Sequence, residues 1–231
     1  MPLHDPGLEP ELMDRDTIDP RENERALADL DRVTRALFGL RALRLALLPR
    51  LRSGMLLLDV GAGSGLAALD LQRRLRRRGA SLRVVCLDRR LRHLVAGRRQ
   101  RGLALRVVAD AFALPFRDRA VDWAASSLFF HHFDAAENCR VVGEMRRVAG
   151  RGVAIADLRG TSWGPWLLRV LFPFLGVGEV ARHDGLVSLR RAWSLAEVER
   201  WLVGWFGPPR PSYELRRRFP VRFTLVVDAD R

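Results

Sequence analysis

LLLDVGAGSG (Leu56 to Gly65) is the segment on which the reading of the fold turns. A short apolar run carries an acid at Asp59, and Gly61, Gly63 and Gly65 then lead into GLAALDLQRRLRRRG, a helical pattern. Glycines at such a turn let the backbone come close to a ligand, and the helix start offers free N–H groups. The spacing is G-x-G-x-G behind an acid, whereas the dinucleotide fingerprint is G-x-G-x-x-G. The difference favours a ligand without a pyrophosphate and disfavours an NAD-dependent oxidoreductase.

On either side of this turn, apolar runs alternate with helical patterns. MLLLDV, LRVVCLD, ALRVVAD, VDWAASS and GVAIADL read as buried strands. GLAALDLQRRLRRRG, RRLRHLVAGRRQRG and DAAENCRVVGEMRRVAG read as helices between them. Continuous apolar strands separated by helices predict a mostly parallel sheet covered on both faces. Asp134 with Glu137 and Ser194 with Glu197 carry the capping-box pattern of helix starts. Upstream, residues 1–20 read as irregular, and apolar spacing through Leu27, Leu30, Val33 and Leu37 predicts one or two amphipathic helices. LRRRFPVRFTLVVDAD predicts two short antiparallel strands at the sheet edge.

Two further strands end in acids. Asp88 closes VVCLD, where a carboxylate can take both hydroxyls of a ribose. Asp110 closes VVAD, and with Ala111 it suits an adenine edge through carboxylate and backbone N–H. A helix cap is the commoner role for one such Asp. Three on consecutive strands behind a glycine turn favour a ligand site.

Composition narrows the function further. The 231 residues suit one domain, and 48% hydrophobic with 29% charged residues is ordinary for a globular protein. The net charge is +13, and all 40 basic residues are Arg. They are spread along nearly every helix, and the one dense run, LQRRLRRRG, reads as a solvated helix face. A nucleic-acid partner such as RNA is therefore suggested by charge alone. Cys86 and Cys139 are too few for a disulfide framework or metal knuckle. The acidic N-terminus does not read as a signal peptide, and no apolar stretch reaches the roughly 18 residues of a membrane span. A cytoplasmic location is the expectation.

Taken in order, LLLDVGAGSG, the acid of VVCLD, ADAFALPF, VDWAASSLFFHHF and GEMRRVAGRGVAIADL resemble the motifs of class I S-adenosylmethionine-dependent methyltransferases. The resemblance is close over residues 54–158 and is strongest to the small-molecule group that includes quinone and phenol methylases. It implies an α/β, Rossmann-like, seven-stranded sheet with helices on both faces and a reversed final hairpin. It also implies a single domain: an N-terminal helical cap (1–53), a cofactor-binding core (54–158), a lid insertion (159–193), and the last helix with edge strands (194–231). Carried over by position, Asp59, Gly61, Ala62, Gly63 and Gly65 line the methionine end of S-adenosylmethionine. Asp88 with Arg89 holds the ribose, Asp110 with Ala111 the adenine, and Ser126 completes the cofactor set.

In SSLFFHHF (Ser126 to Phe133) the family places residues between cofactor and acceptor. His132, and after it His131, are candidates for a general base that removes a phenolic proton; a packed loop is the alternative. No metal is expected, on the argument that adjacent side chains diverge and no third ligand has suitable spacing. Ser126 to Phe129 also lack the (Asp/Asn)-Pro-Pro-aromatic loop of nucleic-acid amine methylases. Residues 161–194 are apolar at Trp163, Trp166, Leu167, Phe172 and Phe174, which suits a lid over a lipophilic acceptor, one loaded from a membrane surface. His183 and Asp184, with Ser188 and Arg190, are candidates for orienting that acceptor, a structural hydrogen-bond network being the alternative, and His183 or Asp184 is the next candidate base after the histidine pair. The expected activity is methylation of a small hydrophobic aromatic, on oxygen in preference to carbon; a non-catalytic binding module is disfavoured by the intact glycine turn.

Overall fold

The computed structural model describes residues 11–15, 17–96, 104–206 and 212–229. A short 3-10 turn at Leu12–Asp14 precedes helix α1 (Pro20–Ala36). Asp19 starts α1 by accepting from the Arg21 and Glu22 N–H groups, with Pro20 at the first position, where a missing donor costs nothing. Phe38 takes a left-handed conformation (φ 56°) and breaks the amphipathic run, so α2 (Gly39–Leu47) is a separate helix.

The alternating region then gives β1 (Leu56–Val60), α3 (Leu66–Arg76), β2 (Arg83–Asp88), α4 (Leu91–Ala96), β3 (Leu105–Val108), β4 (Val121–Ser127), α5 (Ala135–Val148) and β5 (Ala149–Leu158). The end of RRLRHLVAGRRQRG lies outside the described residues. The insertion forms α6 (Gly164–Leu175) and α7 (Glu179–Arg190); α8 (Leu195–Phe206), β6 (Tyr213–Arg218) and β7 (Arg222–Asp228) follow. Both capping boxes are made: Asp134 and Glu137 bond reciprocally, as do Ser194 and Glu197.

The seven strands run in the order β3-β2-β1-β4-β5-β7-β6. β7 lies antiparallel to both β5 and β6, and the remaining pairs are parallel. The final hairpin is therefore reversed as expected, but of its two strands β6 alone lies at an edge, with β7 inside the sheet between β5 and β6. Strand side chains alternate between two cores. Leu58, Val60 and Val85 face Val141 and Met145 of α5 and Val198 and Leu202 of α8. Leu57, Val84 and Cys86 face Leu43 and Leu47 of α2 and Leu71 of α3. Two covered faces explain why these strands read as unbroken apolar runs.

Because β1 pairs with β2 on one side and β4 on the other, the chain leaves the sheet in opposite directions at its centre. A crevice opens there beyond the carboxyl ends of the strands. The helices α1, α6 and α7 pack over one end of it through Val33, Leu168, Phe172 and Ala181. No described helix is long and apolar enough to cross a membrane.

Candidate active site

The glycine turn sits at the mouth of this crevice, and its glycines do different work. Gly61 (φ 66°) lies against an aromatic ring: a Cβ there would meet Phe129 at 2.3 Å. Gly63 (φ 53°) has nothing within 4 Å of the same position, so its open side faces space. Gly65 does not line the cavity, contrary to expectation; it starts α3 and lets the turn pack on Cys86, whose Sγ a Cβ would meet at 2.8 Å. The Ala62 N–H donates to the Leu87 carbonyl at 2.9 Å and pins the turn to β2.

The acids at the strand ends differ as much. Asp59 is 1% exposed, and its Oδ1 has no hydrogen-bond partner. Burial pushes its carboxyl up to about 7; the Ala68 backbone N–H opposes this and the Asp88 charge adds to it. Asp88 accepts from the N–H groups of Gly63 (2.9 Å) and Arg90 (2.8 Å) and lies 3.5 Å from His93 Nδ1. Burial works to raise the Asp88 carboxyl, but His93 and these two N–H groups outweigh it and hold it below the ordinary carboxylate range. Asp110 is exposed and accepts from the Phe112 N–H at 2.9 Å, next to buried Ala111. Asp59, Asp88, Arg89, Asp110 and Ala111 all border one cavity of about 510 Å³. Ser126 does not. It is fully buried, and its hydroxyl donates to the Val60 carbonyl at 2.7 Å; strand alternation puts Ser127 on the cavity wall in its place.

The FFHHF segment is organised by a residue not singled out from the sequence. Asp157, near the end of β5, accepts from the N–H groups of Phe129 (2.9 Å), Phe130 (2.6 Å) and Leu158 (2.6 Å). It also holds His131 Nδ1 at 2.7 Å. The premise that adjacent histidines diverge does not hold: the His131 and His132 rings lie with centroids 4.4 Å apart and planes 32° apart. Nor is a third group lacking. Glu11 places one carboxylate oxygen 3.5 Å from His131 Nε2 and the other 3.9 Å from His132 Nε2. One ligand-type atom from each of the three residues fits within 4.8 Å of the others.

This cluster has a clear charge distribution. Burial disfavours the His131 cation, but Asp157 and Glu11 on either side outweigh it and raise the imidazole to about 9. Burial likewise opposes the Glu11 carboxylate, yet His132, His131 and the Ser188 hydroxyl bring it down to about 2. A cation held between two carboxylates is not a free base, so His131 is a charged strut of the loop. His132 is the partly exposed member, with Nδ1 3.5 Å from Asp14.

The insertion supplies less of the site than its sequence suggested. Asp184 is fully buried and accepts from the Leu12 and Met13 N–H groups, at 2.7 and 3.0 Å, so it anchors the N-terminal turn. His183 bonds Asp184 at 3.0 Å, and neither lines the cavity. Ser188 does line it, and its hydroxyl donates to Glu11. Of the apolar residues picked out there, Phe172 is core, while Trp166 (65% exposed) and Phe174 (83%) point to solvent. Leu168 and Leu189 form the wall instead. Asp157 was legible as one more acid at a strand end. Glu11 reaches the site across 177 positions to Ser188, and no local pattern marks such a contact.

Comparison with known proteins agrees with this geometry. A model for the methyltransferase domain family matches residues 58–156. The demethylmenaquinone methyltransferase of Renibacterium salmoninarum is 30% identical over 167 residues, which is 66% of this chain and 67% of that protein. Among solved structures, an S-adenosylmethionine-dependent methyltransferase from Aquifex aeolicus superposes with a TM-score of 0.60 at 18% identity, covering 93% of this chain and all of that one (100%). Magnesium protoporphyrin IX methyltransferase from Synechocystis, with bound S-adenosylhomocysteine, gives 0.54 at 12% identity over 94% and 91% of the two chains. The fold is thus that of a methyltransferase. The chain belongs to the class I S-adenosylmethionine-dependent methyltransferases, and S-adenosylmethionine is its cofactor. The crevice fits that molecule: Gly63 leaves its approach open, and the unpartnered Asp59 oxygen is a buried acceptor beside it.

Proposed function

We propose that the enzyme methylates an oxygen of a small, hydrophobic, phenolic or quinol-like acceptor. The observation that carries this is one continuous cavity. It joins the glycine turn to an apolar wall (Leu37, Leu40, Leu128, Leu168 and Val221) and to the Glu11–His131–His132 cluster. The likeness to a demethylmenaquinone methyltransferase supports an acceptor of the quinone class.

Bound cofactor supplies an electrophilic methyl group on a sulfonium. The chain's part is placement. Asp59 with the Gly61–Gly63 backbone holds the methionine end, Asp88 with Arg89 the ribose, and Asp110 with Ala111 the adenine. The apolar wall excludes water and presses a flat acceptor toward the donor, and such alignment supplies most of the rate enhancement in displacement chemistry. His132, poised at the cavity between Glu11 and Asp14, takes up the acceptor's proton. Outside the cavity, Trp166, Val170 and Phe174 make an exposed apolar stripe on α6 that suits contact with an anionic membrane, given the +13 charge.

A screen of alkylated phenols and quinols, with and without anionic vesicles, tests this reading. Methyl transfer is expected, with long-chain acceptors gaining most from the vesicles. His132→Gln should lower turnover about tenfold or more with cofactor affinity nearly unchanged, and the loss should shrink for more acidic hydroxyls. Full turnover in that variant would remove His132 from the reaction.

Asp59 predicts a pH dependence. Its carboxyl sits near 7 without ligand, and the cationic methionine end favours the ionised form. Cofactor affinity should therefore be flat above about pH 7 and fall up to about tenfold per pH unit below it, with proton release on binding. Calorimetry in buffers of different ionisation enthalpy measures this directly. In Asp59→Asn the profile should be flat; an unchanged slope would place the titrating group elsewhere.

A further inference from the structure

Arg222, the first residue of β7, is 3% exposed and borders the cavity beside Val221. Its Nε and Nη1 are buried without a hydrogen-bond partner. Burial brings the guanidinium down to about 10, partly offset by the Asp157 charge, so it remains a cation at neutral pH. Asp157 cannot serve as its hydrogen-bonding partner, being committed to three backbone N–H groups and His131. Gly39, at the start of α2, makes room for the side chain: a Cβ there would lie 2.6 Å from Arg222 Nη2.

An arginine buried with Nε and Nη1 unpartnered costs stability that the Asp157 charge offsets only in part. Nε–H and Nη1 lie on different edges of the planar guanidinium, and either edge, completed by Nη2, matches one kind of partner, a flat group with two oxygens sharing negative charge. We propose that Arg222 is the specificity residue for the acceptor, and that the acceptor carries a delocalised oxyanion. A carboxylate on the ring and the ionised oxygens of a hydroxyquinone share this chemistry. The inference deepens the acceptor reading above, resting on it only in treating this end of the cavity as the acceptor's. The oxyanion meets Arg222 while the apolar wall covers the ring, which holds the acceptor in one orientation.

The test is binding, without turnover, of paired probes to the full chain saturated with S-adenosylhomocysteine. 4-Hydroxybenzoate is compared with its methyl ester, and 2-hydroxy-1,4-naphthoquinone with its methyl ether. The wild type should bind at least one anionic member about tenfold or more tightly than its neutral partner, the scale of a charged hydrogen bond. Which pair shows the preference separates carboxylate from hydroxyquinone. Arg222→Met, which keeps the length and removes the charge, should abolish the preference, leave S-adenosylhomocysteine affinity within about twofold, and melt at the same temperature or higher. A structural arginine would behave oppositely: the variant would melt lower and both members of a pair would weaken alike. The proposal is overturned by that pattern, or by a wild type that shows no anionic preference in either pair, a result that needs no variant. Anionic preference without methyl transfer to any hydroxyl would leave this inference standing and sink the O-methylation reading.

Discussion

Gly61→Ala is expected to destabilise the protein by about 2–5 kcal/mol, roughly twice the effect of Gly63→Ala two positions on. Both residues sit at positive φ, 66° and 53°, where a Cβ costs roughly 1–2 kcal/mol. At Gly63 the new methyl enters open space, and the cost ends there. At Gly61 it overlaps Phe129, with ring atoms at 2.3, 2.4 and 2.7 Å. The ring has little freedom to move. It packs edge-on against Phe133 at 4.8 Å and Phe130 at 6.1 Å, and its own N–H is tied to Asp157. Overpacking adds about 1–3 kcal/mol at such a site. The two variants should also differ in function. Gly63→Ala, with the smaller loss of stability, fills the approach to the cofactor's place and should weaken S-adenosylmethionine about tenfold. Chemical denaturation and calorimetry on the two proteins read both quantities; equal destabilisation would mean that Phe129 yields freely and the FFHHF loop is soft.

That contrast shows what the sequence could and could not disclose. G-x-G-x-G behind an acid announces a ligand turn, because glycine's backbone freedom is a local property. Which glycine meets the ligand, which meets Phe129 and which meets Cys86 depends on neighbours 68 or 21 positions away, and no spacing rule reports them. The sheet was legible for the same local reason: two covered faces demand unbroken apolar strands, and helical periodicity resumes between them. Ser126 misleads because the strand's last residues alternate, so one position decides between core and cavity. The insertion misleads differently. Its aromatics suggest an inward face, but α6 buries Leu168 and Phe172 and leaves Trp166 and Phe174 outside. Glu11, from a segment that reads as irregular, is tied down by Ser188 and by the backbone of its own turn, which Asp184 accepts. These are long-range contacts that only the folded chain creates. Arg222 carries no signal among so many arginines; its unpartnered donors are visible only in three dimensions.

Asp157→Asn should be the most damaging single change in the site, at about 3–5 kcal/mol near pH 6, the cost of breaking a buried ion pair by removing one member. The side chain is 1% exposed and accepts four hydrogen bonds, two on each oxygen, so an amide of the same shape must point its NH2 at two of those donors. The charge matters as well as the bonds. His131 rises from 6.5 to about 9 on folding, so its contribution is fully present below about pH 6.5 and is lost as pH rises through about 9. That contribution is about 3 kcal/mol, since each tenfold gain in proton affinity is worth about 1.4 kcal/mol. Glu11 behaves in the opposite sense: lowered from 4.5 to about 2, its contribution is present above about pH 4.5 and fades as pH falls toward 2. The cluster is therefore most stabilising between about pH 4.5 and 6.5. Urea midpoints of wild type and Asp157→Asn from pH 5 to 10 give the decisive comparison. The gap between them should be widest near pH 6 and narrow as pH passes 9, where His131 loses its proton in the wild type too. A gap that stays constant across this range would show that His131 is neutral in the native protein, and the base assignment would then return to it from His132.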